Sequence, residues 1–279
     1  MPELPEVETI VRQIRSGVEG REVQEVTVSW PSTVARPSLE NFRRGLVGQV
    51  IERVWRRGKW FIFDLDSGSH LVGHLRMSGR LYLSPFPEHP YMRAALSLDN
   101  GQHLVFADVR KFGRLILAES LEEALPSLGP DANTDEVDGL WMEKELRKRK
   151  RFLKPLLLDQ SFLAGLGNIY VDEALHRAGL HPLRKSHRVP ASKARELVSA
   201  IKLVLQEAIE AEGSSFDIFY RTPEGQPGAF QDQFQVYGRS GKPCRRCGRV
   251  VVRRVVAQRG THICHGCQPA PRPRKLIVG

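Results

Sequence analysis

QSFLAGLGNIYVDEALHRAGLHP, residues 160–182, reads as the end of one helix and the whole of a second, joined by glycines. The break falls at Gly165 and Gly167, Asn168 is placed to cap the new helix, and Gly179 with Pro182 beyond it marks the end. Helices meeting at glycine turns leave backbone N–H groups at a helix N-terminus, where an anion is held by the unpaired donors and the helix dipole. An isolated turn of this kind is more often simple packing. Here the preceding stretch, expected as a helix, carries Lys148, Arg149, Lys150, Arg151 and Lys154, and that company favours a phosphate.

Toward the C-terminus, SKARELVSAIKLVLQEAIEAEG places Leu197, Ile201, Val204, Leu205 and Ala208 on one helical stripe. Cys244-x2-Cys247 and Cys264-x2-Cys267 follow, sixteen residues apart, a spacing that fits one tetrahedral zinc ion held by four thiolates. Two disulfides or four free thiols are the competing reading. Four protein ligands leave no open position, so such an ion is structural, and His262 and His265 nearby are not needed as ligands. Between the pairs, Arg249, Arg253, Arg254 and Arg259 give a cationic hairpin suited to nucleic acid; a ribbon used for protein contact stays open on spacing alone.

Toward the N-terminus, LGPDANTDEVDG (128–139) is turn-rich and acidic and reads as a linker. Before it, REVQEVTVSW, KWFIFDLD, RAALSL and QHLVFADV are short β-rich runs with an Asn100-Gly101 turn, which predicts an antiparallel sandwich or flattened barrel over about 22–118. Val7, Ile10, Val11, Ile14 and Val18 recur at helical spacing behind Pro5, a first amphipathic helix. Met77, in HLRMSGRL, and Arg110 and Phe112, in DVRKFG, could stand together on loop tips, the arrangement with which proteins fill a gap in unstacked DNA.

The 279 residues carry 42 Lys+Arg against 32 Asp+Glu, a net charge of +10, so a polyanion is the expected partner. A 41% apolar content with 27% charged residues is that of a folded globular chain. No apolar run is long enough for a membrane span and no secretion signal is evident, which predicts a cytosolic protein.

PELPEVET, RRGKW, HLRMSGRL, DVRKFG, LAGLGNIYVDEALHRAGLHP, VYGR and the cysteine finger with QRGTHICHGCQ follow one another in an order that resembles the bacterial formamidopyrimidine-DNA glycosylases, from residue 2 to about 268. Endonuclease VIII-like relatives share the plan but typically begin PEGPE. The resemblance implies an α+β fold. It comprises an N-terminal β-sandwich with flanking helices (1–130), a helix-two-turn-helix domain (131–236), a four-cysteine zinc finger (237–268) and a basic Pro-rich tail (269–279). It implies a monomeric base-excision enzyme, both glycosylase and abasic-site lyase, acting on oxidised purines in duplex DNA with one structural zinc.

By the same resemblance, Pro2 is the nucleophile once Met1 is removed and Glu3 its acid. Lys59 is a proton donor for β-elimination, and Arg259 grips phosphate and serves δ-elimination. His89, Arg149, Lys154 and Asn168 match DNA contacts. Glu6 lines the lesion pocket; Met77, Arg110 and Phe112 fill the vacated stack, with Arg110 toward the orphaned cytosine. The family's DPRRFG reads DVRKFG here, EHPYMR around His89 is longer than the family's loop, and the lesion-capping loop SSFDIFYRTPEGQPGAF has Phe216, Phe219 and Tyr220. Oxidised-pyrimidine specificity is the alternative within the enzyme class, and a non-catalytic zinc-finger DNA-binding protein the alternative outside it.

Overall fold

The computed structural model describes every residue except 126, 217–219 and 272–279. Phe219 and all but the first residues of the basic tail therefore lie outside the described residues. The chain divides into two compact units, 1–128 with 207–232, and 129–206 with 233–279. The stretch 131–236 thus contributes to both.

In the first unit, α1 (Leu4–Val18) buries the expected stripe: Val7, Ile10, Val11, Ile14 and Val18 are all at most 1% exposed. Among the described residues nine strands follow: β1 (Val23–Val28), β2 (Val34–Arg36), β3 (Ile51–Arg57), β4 (Trp60–Leu65), β5 (His70–His74), β6 (Gly79–Ser84), β7 (Met92–Leu98), β8 (His103–Asp108) and β9 (Arg114–Ala118). They form a four-stranded sheet, β1-β7-β8-β6, and a five-stranded one, β2-β9-β5-β4-β3. All pairings are antiparallel except β2 with β9 at an edge. Phe61, Phe63 and Leu71 from one sheet meet Leu81, Leu96 and Phe106 from the other in a core shared with α1, the expected sandwich. Asn100 and Gly101 sit in the β7–β8 connection, where Gly101 takes the left-handed conformation (φ 78°) that closes the hairpin.

The β-rich reading of 22–118 passes over one helix, α2 (Leu39–Leu46). Ser38 caps it by accepting from the Asn41 N–H at 3.3 Å, and Phe42 and Leu46, four apart, are fully buried. A short α3 (Leu121–Ala124) ends this part of the unit.

In the second unit, the basic stretch expected as one helix is two short ones, α4 (Gly139–Arg147) and α5 (Leu153–Leu157), with Lys148, Arg149, Lys150 and Arg151 in the break between them and only Lys154 on α5. The acidic stretch before them is tied down rather than loose. Gly129 and Ala132 donate to the Gln160 and Ala164 carbonyls at 2.9 Å each, and Asp138 caps α4 through the Trp141 N–H at 2.7 Å. Next comes α6 (Asn168–Arg177), which ends at Gly179 (φ 65°) with Leu180 N–H returning to the Leu175 carbonyl at 2.9 Å, the glycine stop read from the sequence. Its N-cap is Gly167 rather than Asn168; Asn168 is the first helical residue and turns its amide N–H to the Gly260 carbonyl at 3.0 Å. The 20-residue α7 (Ala191–Glu210), whose last turn from Glu207 belongs to the first unit, buries Leu197, Ile201, Val204, Leu205 and Ala208 completely. Strands β10 (Val252–Val256) and β11 (Arg259–Ile263) make the finger hairpin.

Candidate functional site

The functional residues of the first unit begin at its N-terminus. Pro2 is buried and Glu3 is 2% exposed, directly ahead of α1. The Glu3 N–H donates to Glu6 Oε2 at 2.8 Å, half of a reciprocal capping box, and carboxylates there also complement the positive end of the helix dipole. The other Glu6 oxygen accepts from Ser214 N–H, also at 2.8 Å. Glu6 therefore clamps the chain start and the base of the 214–230 loop together. A side chain at Gly213 would meet Glu6 Cγ at 2.9 Å, and the residue has φ 81°, so only glycine suits the clamp.

The loop's aromatics separate by environment. Tyr220 is buried in the core against α1 and its hydroxyl donates to the Glu212 carbonyl at 3.0 Å. Burial, reinforced by the Glu6 charge, raises its pKa, so it stays a neutral phenol. Phe216 is exposed.

Lys59 occupies the two-residue β3–β4 turn with Gly58 (φ 57°), yet is only 6% exposed. On β5, His74 accepts the Arg76 N–H at 2.9 Å and meets the Trp60 ring edge-on at 4.7 Å. Burial, then the cations of Arg76 and Lys59, pushes its pKa down to about 3, so the imidazole is neutral and adds no repulsion to the lysine.

Met77, Arg110 and Phe112 do come together. The Arg110 guanidinium lies 3.1 Å from Met77 Sδ and stacks 4.8 Å from the Phe112 ring centre. Met77 and Phe112 are more than 40% exposed, an apolar pair held out in solvent. What holds it is Asp108, 1% exposed. Its Oδ1 accepts from Ser78 Oγ at 2.5 Å and Arg110 N–H at 3.0 Å, and its Oδ2 from Gly113 N–H at 2.7 Å. One carboxylate thus fixes both loops. His89 lies in the β6–β7 connection, in a cavity of about 230 Å³ lined also by Arg80, Tyr91 and Arg221. Burial and then Arg80 and Arg93 lower its pKa.

In the second unit, Lys154 is fully buried. Its ammonium donates to Asp172 Oδ1 at 2.6 Å and to the Gly260 carbonyl at 3.1 Å. Asn168 donates to the same carbonyl at 3.0 Å. Two of the expected phosphate contacts therefore converge on the residue after Arg259. Arg259 itself is exposed, just past the β10–β11 turn formed by Ala257 (φ 48°) and Gln258 (φ 61°). Arg149 is held by Glu145 at 2.5 Å and stacked 4.9 Å from the Phe162 ring centre.

One face of α6 organises this unit through residues that the sequence reading passed over. Asp172 Oδ2 accepts from His262 N–H at 2.8 Å, and Glu173 accepts from the N–H groups of Gln235, Val236 and Tyr237 at 2.8–2.9 Å. His176, 2% exposed, places Nε2 at 3.4 Å from Cys244 Sγ. Acids at 172 and 173 and a histidine at 176, inside a helix otherwise made of Ile169, Tyr170, Val171, Ala174 and Leu175, were the available signal.

The cysteines fit zinc. The Cys244–Cys267 and Cys247–Cys264 sulfurs are 3.9 and 3.3 Å apart, near the ~3.8 Å edge of a tetrahedral set with Zn–S of about 2.3 Å. His262 and His265 stay outside: the first faces Asp172 and the second stacks on His181 at 5.8 Å.

Three family models match in order: the formamidopyrimidine-DNA glycosylase N-terminal domain over residues 1–115, the formamidopyrimidine-DNA glycosylase H2TH domain over 128–219, and the zinc finger found in FPG and IleRS over 241–270. The chain is 42% identical over 274 residues to the formamidopyrimidine-DNA glycosylase of Protochlamydia amoebophila and 41% identical over 275 to that of Bacillus subtilis; each match covers 96% of this chain and 99% of the relative. The MutM (Fpg) protein of Thermus thermophilus superposes with a TM-score of 0.87 at 42% identity, covering 97% of this chain and 100% of that one. The Lactococcus lactis Fpg solved with DNA containing an abasic site gives 0.88 at 36% identity, covering 96% and 100%. With its sandwich, its helical unit and its four-cysteine finger matched along nearly the whole length, the chain belongs to the formamidopyrimidine-DNA glycosylase family.

Proposed function

We propose that this base-excision DNA glycosylase and abasic-site lyase uses the amine of Pro2, exposed by removal of Met1, to displace oxidised purines from duplex DNA. An α-amine titrates near ~8 rather than ~10.4, so much more of it is free base at neutral pH than for a lysine. Attack on the sugar C1′ forms the N–C bond as the damaged base leaves. Opening of the sugar ring then gives an iminium ion. A secondary amine leaves that iminium with no N–H to lose, so it stays cationic and acidifies the C2′ hydrogen, whose removal expels the 3′ phosphate.

Glu3 moves protons at the sugar, and Lys59 supplies one during elimination. Arg259 grips the phosphate, and Met77, Arg110 and Phe112 occupy the vacated stack. Lys154 and Asn168 act with Arg259 by holding the Gly260 carbonyl. Zinc, when bound, crosslinks the finger that carries Arg259. The substrates are those of the Lactococcus lactis neighbours, solved with Fapy-dG and abasic-site DNA, together with 8-oxoguanine. The protein works as a monomer on the cytoplasmic chromosome, and no helix among the described residues is long and apolar enough to cross a membrane.

The observation that carries this reading is the pinned, buried N-terminus: a chain end that would otherwise fray is fixed through Glu3 N–H to Glu6. Borohydride trapping on a duplex with 8-oxoguanine opposite cytosine is expected to give a covalent adduct at the N-terminal proline, and Glu3→Gln to abolish base excision. No adduct and no strand cleavage on any oxidised-base duplex would overturn it.

A further inference from the structure

The zinc centre is surrounded by more donors than it needs. The His176 imidazole and the sulfurs of Cys244, Cys264 and Cys267 all lie within 4.8 Å of one another, a compact set of three sulfurs and one nitrogen that omits Cys247. Cys247 is also the exposed member of the four, whereas Cys244 and Cys264 are buried. His176 is itself 2% exposed, and its Nδ1 is buried with no hydrogen-bond partner among the described residues. A histidine that ligates or supports a metal normally has its second nitrogen fixed by a partner. Here no partner among the described residues fixes it, so the ring is set close to the centre without being locked in one tautomer.

We propose that His176 is a reserve ligand of the zinc centre, taking the place of Cys247 when that exposed thiolate is oxidised or removed. With all four thiolates in place, the Nε2–H of His176 donates to Cys244 Sγ, the contact seen at 3.4 Å. Hydrogen peroxide is the oxidant class: the Cys247 sulfur attacks one peroxide oxygen, the S–O bond forms as the O–O bond breaks, and hydroxide leaves. Sulfur loses two electrons, the peroxide gains them, and the product is a sulfenic acid. A sulfenic acid is a poorer ligand than a thiolate. The imidazole then passes to the tautomer protonated at Nδ1, with no net loss of a proton, and its Nε2 lone pair completes a three-sulfur, one-nitrogen set. Such sets occur in structural zinc sites alongside four-thiolate ones. An enzyme that repairs oxidised DNA would thereby keep its finger folded in the conditions that create its substrate.

The test uses the full chain. Cys247→Ala is expected to retain one zinc per chain by atomic absorption. With cobalt in place of zinc, the thiolate-to-metal charge-transfer band should weaken by roughly a quarter, one thiolate of four, and the d–d bands move to higher energy. Adding His176→Phe to Cys247→Ala should abolish that spectrum and release the metal. Equal metal affinity in the single and double variants, or a cobalt spectrum indifferent to His176, would overturn the proposal.

A second arm avoids any folding defect of Cys247→Ala. On treatment with hydrogen peroxide, zinc release to a chromogenic chelator should be roughly tenfold faster in His176→Phe than in the natural sequence. Equal release rates, or quantitative formation of a Cys247–Cys264 disulfide in the natural sequence, would count against it.

Discussion

Each unit presents exposed side chains on tight turns, and each anchors them on a buried aspartate, but the two aspartates work differently. Asp108 in the first unit accepts, among the described residues, from neutral donors, a serine hydroxyl and two backbone N–H groups, and from them it sets the Met77, Arg110 and Phe112 tips. Asp172 in the second unit faces a fully buried ammonium, Lys154, and through it the Gly260 carbonyl beside Arg259. A buried ion pair gives little net stability, since desolvation offsets its attraction, but removing one partner leaves an uncompensated charge. A carboxylate held by dipoles leaves no such charge behind when it is removed. The first unit even avoids burying charge where it could have: His74, beside Lys59 and Arg76, stays neutral.

Asp172→Ala tests this contrast most severely. It should destabilise the second unit by about 3–5 kcal/mol in chemical denaturation and shorten the amide-exchange protection of β11. Lys154→Met combined with Asp172→Leu should restore most of that loss. If the single variant costs no more than a surface change, Lys154 is not held as a buried cation.

Acid tests the other side. His74 has a folded pKa below its unfolded value of about 6.5, so the unfolded chain binds more protons between the two. The stability it contributes is present above pH 6.5 and declines as pH falls toward 3. Between pH 6.5 and 4.5 the loss should be about 2 kcal/mol. His74→Phe should flatten that part of the stability profile of the first unit, and an unchanged profile would show that the imidazole is not buried neutral.

Asp108→Ala is expected to cost about 2 kcal/mol, because Ser78 Oγ and Gly113 N–H lose their acceptor and Arg110 N–H keeps only Ser78 Oγ. It should also reduce the fluorescence change of a 2-aminopurine placed beside the lesion, which a purely global loss of stability would not alter at saturating enzyme. Smallest is Ala257→Asn. Ala257 and Gln258 both sit at positive φ, and asparagine tolerates that region, so the finger hairpin should gain up to ~1 kcal/mol, read as slower exchange of its amides.

Much of the molecule was legible without coordinates. The α1 stripe, the Asn100-Gly101 turn, the glycine stop of α6 and the paired cysteines each follow from a local rule that the tertiary structure left intact. The misread parts share a cause. Asn168 is a good capping residue, but its amide is drawn to Gly260, 92 positions away, and Gly167 caps instead. Lys154 reads as one more cation in a basic run, until Asp172 and Gly260 close around it. The helix α2 was hidden by the β-rich runs on either side, although Ser38 and the Phe42/Leu46 pair announce it.

Neighbours a few residues apart are enough to set the period of each element, the places where chain direction changes, and the ligand type of the metal centre, so all three can be read along the chain. Folding in three dimensions was needed to join the chain start to Ser214 through Glu6, to let Asp108 serve two loops, and to bring His176 to the sulfurs of a finger 68 residues away. Those pairings cross long stretches of chain. They are fixed by which buried polar groups must satisfy one another once water is excluded, a condition that no local pattern contains.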